Sequence, residues 1–173
     1  TGLLMASSYS VDNAHSNVGF TVKHMMVTNV HGKFTSYDAK VEFDDATKTF
    51  KKLVANIDTN SIDTGIEKRD NHLKSDDFFA VEKFPKMTFE MTSYKADGDD
   101  GKMTGNLTIR GITKPVVLEV EDISVLGDKV GFSIEGKINR QDFDLKWNKA
   151  IELGGVAVSD EVKIKVDIEA KKQ

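Results

Sequence analysis

From Val156 to Ala170 the apolar residues Val156, Val158, Val162, Ile164, Val166, Ile168 and Ala170 share one parity, while Ser159, Glu161, Lys163, Lys165, Asp167 and Glu169 share the other. Successive side chains of a strand point to opposite faces, so this stretch is a long strand with one buried and one wet face. Only Asp160 breaks the apolar parity. A chain with such a segment needs a sheet that is apolar on one side only.

The same period recurs along the sequence. Val18, Phe20, Val22 and Met26 form one segment. Phe34, Val41 and Phe43 form a second that needs a bulge to keep its face, and Leu53, Ala55 and Ile57 a third. Met87, Phe89 and Met91 follow, then Met103, Leu107 and Ile109, then Val116, Leu118 and Val120, then Val130, Phe132, Ile134 and Ile138. With the C-terminal strand this makes eight. Turn chemistry separates several of them, in ADGDDGK (96–102), RGITKP (110–115) and LGDK (126–129). One-sided strands with short connections predict an antiparallel sheet, since a parallel sheet is buried on both faces. The preferred closure is an up-and-down barrel of eight strands, whose interior is filled by side chains or holds one ligand; a sandwich is the alternative.

Length and composition bound the rest. A chain of 173 residues suits one domain, taken here as 9–173. The opening TGLLMASS lacks a basic n-region and a full apolar stretch, and residues 1–8 read as an appended remnant rather than a signal peptide. The absence of cysteine excludes disulfides, thiolate catalysis and Cys-ligated zinc. Lys+Arg 24 against Asp+Glu 28 gives a mildly acidic balance that does not suggest a phosphate-backbone binder and argues against a nucleic-acid partner. No run approaches the ~18–20 apolar residues that a membrane helix needs.

One region departs from period two. Thr64-Gly65-Ile66-Glu67 fits a capping box and predicts a short helical segment around 64–80, with Ile66, Leu73 and Ile62 toward the sheet and a second start at Ser75 beside Asp76 and Asp77. Glu67, Arg69, Asp70 and His72 resemble an acid-base cluster, but residues two apart on a helix point about 200° apart. The segment therefore reads as a solvated or barrel-capping helix. His15, His24, His31 and His72 include no pair at metal-ligand spacing. There is no G-x-S-x-G elbow or Gly-rich phosphate loop, and Gly154-Gly155 is a loop feature. No catalytic residue, metal or cofactor is assigned.

What is abundant is flexible apolar bulk on the inward parity, which suits a cavity for an apolar ligand. The candidate ligand-binding residues are Phe20, Val22, His24, Met26, Phe34, Met87, Phe89, Met91, Leu107, Phe132 and Ile134 on strands, with Leu73, Phe78 and Phe79 from the helical excursion. His24 qualifies by sharing the parity of Phe20 and Val22. In INRQDFDLKWN (138–148), Arg140, Asp142 and Asn148 suit a polar rim beside Phe143, Leu145 and Trp147. Arg140 and Trp147 join the candidate set, Trp147 either as ligand contact or as a plug at one end. Arg69 and His72 are candidate head-group contacts.

YSVDNAHSNVGFTVKH (9–24), HGKF (31–34), DTNSIDT (58–64), RDNHLKSDDFF (69–79), EKFPKMTF (82–89), GNLTIRGITKPV (105–116) and VSDEVKIKVDIEA (158–170) together resemble the YceI-like family, in the right order from Tyr9 to Ala170. The resemblance implies an extended lipocalin-like antiparallel barrel with a helix beside it, secreted to the bacterial periplasm. It implies a polyisoprenoid or other long amphiphile in an internal tunnel, a homodimer and no established catalysis; with such a lipid as ligand, transient membrane contact is a further partner expectation. The family's Arg-Asp-x-His-Leu stretch, which packs by the barrel, matches Arg69, Asp70, His72 and Leu73. The family commonly continues its seventh-strand motif with Asp-Phe-Gly; here Asp142 and Phe143 are followed by Asp144, which bears on the shape and charge of the rim. Two other functions remain open on the residues. One is an enzyme acting on such a lipid through His72, Asp70 and Arg69 or Arg140, and the other an interaction module with a filled barrel.

Overall fold

The computed structural model describes residues 6–148 and 157–173; Val156 and the Gly154-Gly155 pair lie outside them. In chain order the elements are β1 (Ser7–Val11), β2 (Asn17–His24), β3 (Thr28–Phe34), β4 (Tyr37–Asp44), β5 (Thr49–Asp58), β6 (Ile62–Asp63) and α1 (Glu67–Lys74). Then come β7 (Lys86–Asp97), β8 (Asp100–Ile109), β9 (Ile112–Leu126), β10 (Lys129–Asn139) and β11 (Val158–Lys172).

β1 and β2 are two parts of one strand interrupted by the 3-10 turn Asn13–His15, because both pair with β11, through Val11↔Ala170 below the turn and Asn17↔Asp167 above it. β3 and β4 are likewise one strand broken at Thr35–Ser36. Counted so, eight antiparallel strands follow one another as a meander, and β1–β11 pairing closes the barrel. Closure removes the sheet edges that an open antiparallel sheet would leave unpaired. Ser7 and Ser8 pair with Phe43 and Glu42, so β1 begins inside the stretch set aside on sequence.

Alternation survives over such long strands because bulges reset it. The register shifts at Glu42/Phe43, Met91/Ser93, Gly131/Ser133 and Val158/Val162. Asp160, the parity exception, sits in the last of these and faces out, where it accepts from Gln141 at 3.1 Å.

One end of the barrel is packed solid. Tyr9, Phe43, Phe50, Tyr94 and Phe132 form a chain of rings with centroid separations of 5.9, 4.8, 5.1 and 4.8 Å, mostly edge-on. Such pairs contribute roughly 0.5–1.5 kcal/mol each beyond area burial. Burial pushes the Tyr94 phenol up to about 12, with Asp100 adding to it. Met103, Val120, Val130 and Ala170 complete this floor with no exposed surface.

The excursion between β5 and β7 differs from expectation in its caps. α1 begins after Ile66, which makes no side-chain cap bond, so the capping box is absent. Gly65, at φ +86°, turns the chain so that Thr64 falls two residues short of the cap position. Asp70 reaches back instead, accepting from the Thr64 amide at 2.9 Å and its hydroxyl at 2.5 Å. Arg69 donates to the Thr64 hydroxyl and carbonyl at 2.7 and 2.6 Å. No helix starts at Ser75; residues 76–79 form turns held by Arg110, which donates to the carbonyls of Asp76 and Phe78 at 2.6 and 2.5 Å. Ile62 is buried as expected, whereas Ile66 is 51% exposed.

Where β1 breaks from β2, the Asp12 amide donates to the Glu169 carbonyl at 2.8 Å, and His15 Nδ1 lies 2.8 Å from Asp12 Oδ2 and 3.6 Å from Glu169 Oε2. The Asp12 hydrogen bond, then its charge, raises the His15 pKa, and His15 in turn lowers that of Asp12. A raised histidine stabilises fully below its unfolded value near ~6.5 and loses that contribution as pH rises through the folded value; a lowered aspartate contributes above ~3.9 and loses it as pH falls through its folded value. This latch is thus strongest between about pH 4 and 6.5. In an NMR titration His15 should titrate above an ordinary imidazole, and Asp12→Asn should bring it back down.

Candidate functional site

Above the aromatic floor the interior is hollow. A cavity of about 210 Å³ lies between the strands and the excursion. One water needs only ~10–15 Å³, so this is no packing defect. Its wall is almost wholly apolar.

Most residues marked on sequence meet here. β2 supplies Phe20 and Val22, β3 Phe34, β7 Met87 and Phe89, β8 Leu107, and β10 Phe132 and Ile134. Leu73, Phe78 and Phe79 roof it from the excursion, with Phe79 edge-on to Phe34 at 5.8 Å. Two glycines let the large rings lie flat against the wall. A Cβ on Gly32 would stand 2.3 Å from Phe20, and one on Gly105 2.4 Å from Phe89.

The space itself comes from residues that sequence reasoning left out of the candidate set. Ala39 and Ala55 are register partners and both line the cavity. Val18, Val116 and Ile138, with Val162 to Ile168 on the inward parity of β11, complete the wall. A small residue on an inward parity was the available signal for the alanines, and it marks missing volume rather than contact.

Four candidates stand elsewhere. His24 is exposed and Met26 51% exposed, because β2 ends at His24 and the chain reverses through Met25 and Met26 at φ 54° and 67°. Parity carries no information past a strand end. Met91 packs against the core beside a register shift but does not line the cavity. Trp147 closes an aromatic trio outside the wall, 4.7 Å from the His72 ring and 5.5 Å from Phe78, so its role here is packing at one end.

Arg140 lines the cavity yet is no free rim charge. It is 3% exposed, and its guanidinium donates to the carbonyls of Ser159 at 2.8 Å, Val158 at 3.1 Å, Trp147 at 2.9 Å and Leu145. Burial lowers its pKa, opposed by Asp160 at 3.7 Å. The side chain therefore ties the 140–148 segment to β11. Asn148 does the same, donating to the Val158 carbonyl at 2.8 Å and accepting its amide at 3.1 Å. Phe143 and Leu145 are buried beneath them, and Asp142 is exposed.

Asp144 adopts the left-handed region, φ 62° and ψ 20°. Glycine suits that conformation, and aspartate is among the side chains that tolerate it. The substitution keeps the turn and adds an outward charge, 3.7 Å from Arg110 and 3.5 Å from Lys146.

The acid-base cluster dissolves in the fold. Arg69 and Asp70 are engaged with Thr64, His72 pairs with Asp77 at 2.8 Å, and none of the three lines the cavity. Asp12, His15 and Glu169 bring three ligand-type atoms within 4.8 Å, but on the outside of the barrel and as the latch described above. Their separation along the chain leaves no spacing to read.

The arrangement can hold an apolar chain. A family profile described as YceI-like domain matches residues 9–170. The chain belongs to the YceI-like family. It is 37% identical to the protein YceI of Salmonella newport (strain SL254), over all of this chain and 91% of that protein. Among solved structures, this YceI-like barrel resembles Burkholderia cenocepacia BcnA, with a TM-score of 0.83 at 28% identity, covering 93% of this chain and 99% of that one. The Campylobacter jejuni YCEI protein gives 0.77 at 42% identity, covering 94% and 96%. A polyisoprenoid binding domain from Saccharophagus degradans shares the fold, with a TM-score of 0.68 at 16% identity, covering 96% and 99%.

Replacing Arg140 by Met should leave its carbonyl partners unsatisfied and cost roughly 3 kcal/mol or more, read as a lowered midpoint in denaturant unfolding. At Asp144, Gly should stay within about 1 kcal/mol of wild type, whereas Val should lose about 1–3 kcal/mol because a β-branched residue is strained at that φ.

Proposed function

We propose that this YceI-like domain is a binding and carrier protein for a long-chain isoprenoid, of quinone or polyprenyl type, or a similar amphiphilic lipid. One observation carries the reading: a hollow of about 210 Å³ with almost no polar wall in a barrel whose other end is packed solid. The polyisoprenoid-binding description of a neighbour with the same fold supports the choice of ligand class.

The energetics suit a tail-directed site. A five-carbon isoprene unit contributes roughly 3–4 kcal/mol at ~0.8 kcal/mol per carbon. Three or four units give a gross term above the ~8 kcal/mol of micromolar affinity, from which ordering costs subtract. With Arg140 committed to carbonyls, the wall selects by length and width more than by head group. A periplasmic or secreted setting and a homodimer belong to the same reading, on family resemblance; fractionation and light scattering test them. Binding rather than catalysis is favoured because Arg69, Asp70 and His72 are engaged outside the cavity wall.

Native mass spectrometry after gentle purification should find a copurifying lipid, and the stripped protein should take up isoprenoid quinone. A protein that neither carries lipid nor takes it up would refute the proposal. Ala55→Phe, which fills the hollow beside Ala39, should cut uptake by about tenfold or more while the thermal midpoint holds or rises.

A further inference from the structure

The β2–β3 hairpin ends in Met25, Met26 and Val27, exposed by 39%, 51% and 79%. Two of these hold left-handed backbone, φ 54° and 67°, where hairpin turns ordinarily use asparagine or glycine. Local turn chemistry does not account for methionines there, and strain of this kind is a pointer to function.

Charge sets the hairpin apart as well. The chain carries 28 Asp+Glu, yet Asn13 through Tyr37 contains none, while it includes Lys23, Lys33 and three of the four histidines. The adjoining part of β11 adds Lys163, in register with Thr21, and its acids are engaged: Glu161 lies 3.7 Å from Lys137 and Asp160 is held by Gln141 and Arg140. An exposed apolar tip on a cationic hairpin, in a chain of net charge -4, complements an anionic lipid surface.

The tip also stands at the hollow end. Val22 lines the cavity three residues before Met25, and Val158, also in the wall, pairs with His24. We propose that Met25–Val27 is the element by which the barrel docks on an anionic phospholipid bilayer, apolar tip among the acyl chains and Lys23 at the phosphates, so that the cavity meets the membrane there. That the cavity receives lipid rests on the proposed function; the docking itself does not.

The test is cosedimentation with vesicles of phosphatidylcholine alone and with phosphatidylglycerol. It is paired with a vesicle-free measurement of uptake of a fluorescent isoprenoid alcohol. The wild type should bind the anionic vesicles preferentially and less at high salt. Met25→Ser, Met26→Ser and Val27→Ser together should weaken this by about tenfold or more, with isoprenoid uptake unchanged. Lys23→Glu, at an exposed side chain, should weaken it separately and covers the case in which the triple variant folds poorly. No preference for anionic vesicles, or variants that sediment like wild type, would overturn the proposal. So would a triple variant that changes only from dimer to monomer in light scattering, which would make the tip a contact between copies. Loss of isoprenoid uptake in the wild type with vesicle docking intact would remove the lipid-binding function and leave the docking site standing.

Discussion

Everything in this molecule depends on the two-sided hydrogen bonding of β11. On one edge it holds β10 from Lys129 to Asn139; on the other it holds β2 along Asn17 to His24 and β1 at Tyr9 to Val11. That second edge turns a sheet into a barrel, and only a closed barrel defines an inside. The Asp12–His15–Glu169 latch lies where the ladder on this edge is interrupted, so the weakest stretch of the closure carries its own polar support.

Once closed, the interior is divided by side-chain volume. Rings from Tyr9, Phe43, Phe50, Tyr94 and Phe132 fill one end, whereas Ala39 faces Ala55 in the other and the excursion roofs the gap rather than occupying it. A hollow of about 210 Å³ costs roughly 5 kcal/mol at ~24 cal/mol per Å³. A ligand that fills it returns stability through its preferential binding to the folded state. In the proposed function, that volume above so dense a floor is the space for the ligand.

The polar groups around the hollow serve the backbone. Arg140 and Asn148 tie the 140–148 segment to the bulged start of β11, and Arg110, Arg69 and Asp70 satisfy carbonyls or amides of irregular segments that no ladder covers. Buried irregular backbone requires such partners. This explains why residues with the chemistry of a catalytic set end up as clamps, and why the cavity wall stays apolar beside a buried guanidinium.

The period-two pattern by itself determined the eight strands, their one-sided burial and the Phe-rich inner wall, because side-chain alternation is a local property of extended backbone. Phe20, Phe34, Met87, Phe89, Leu107 and Phe132 were legible that way. Residues at strand ends and in irregular segments were not. His24 and Met26 left the inward face where the chain reverses, Thr64 lost its cap to the turn at Gly65, and Arg140 exchanged a rim for carbonyls distant in sequence. The reversal at Met25 and Met26 and the turn at Gly65 are local backbone events that side-chain parity does not encode, whereas the Arg140 clamp rests on hydrogen bonds between segments that only the tertiary structure brings together. The hollow likewise belongs to the tertiary structure, since alternation says which way Ala39 and Ala55 point, and only the barrel decides how much space their small side chains leave.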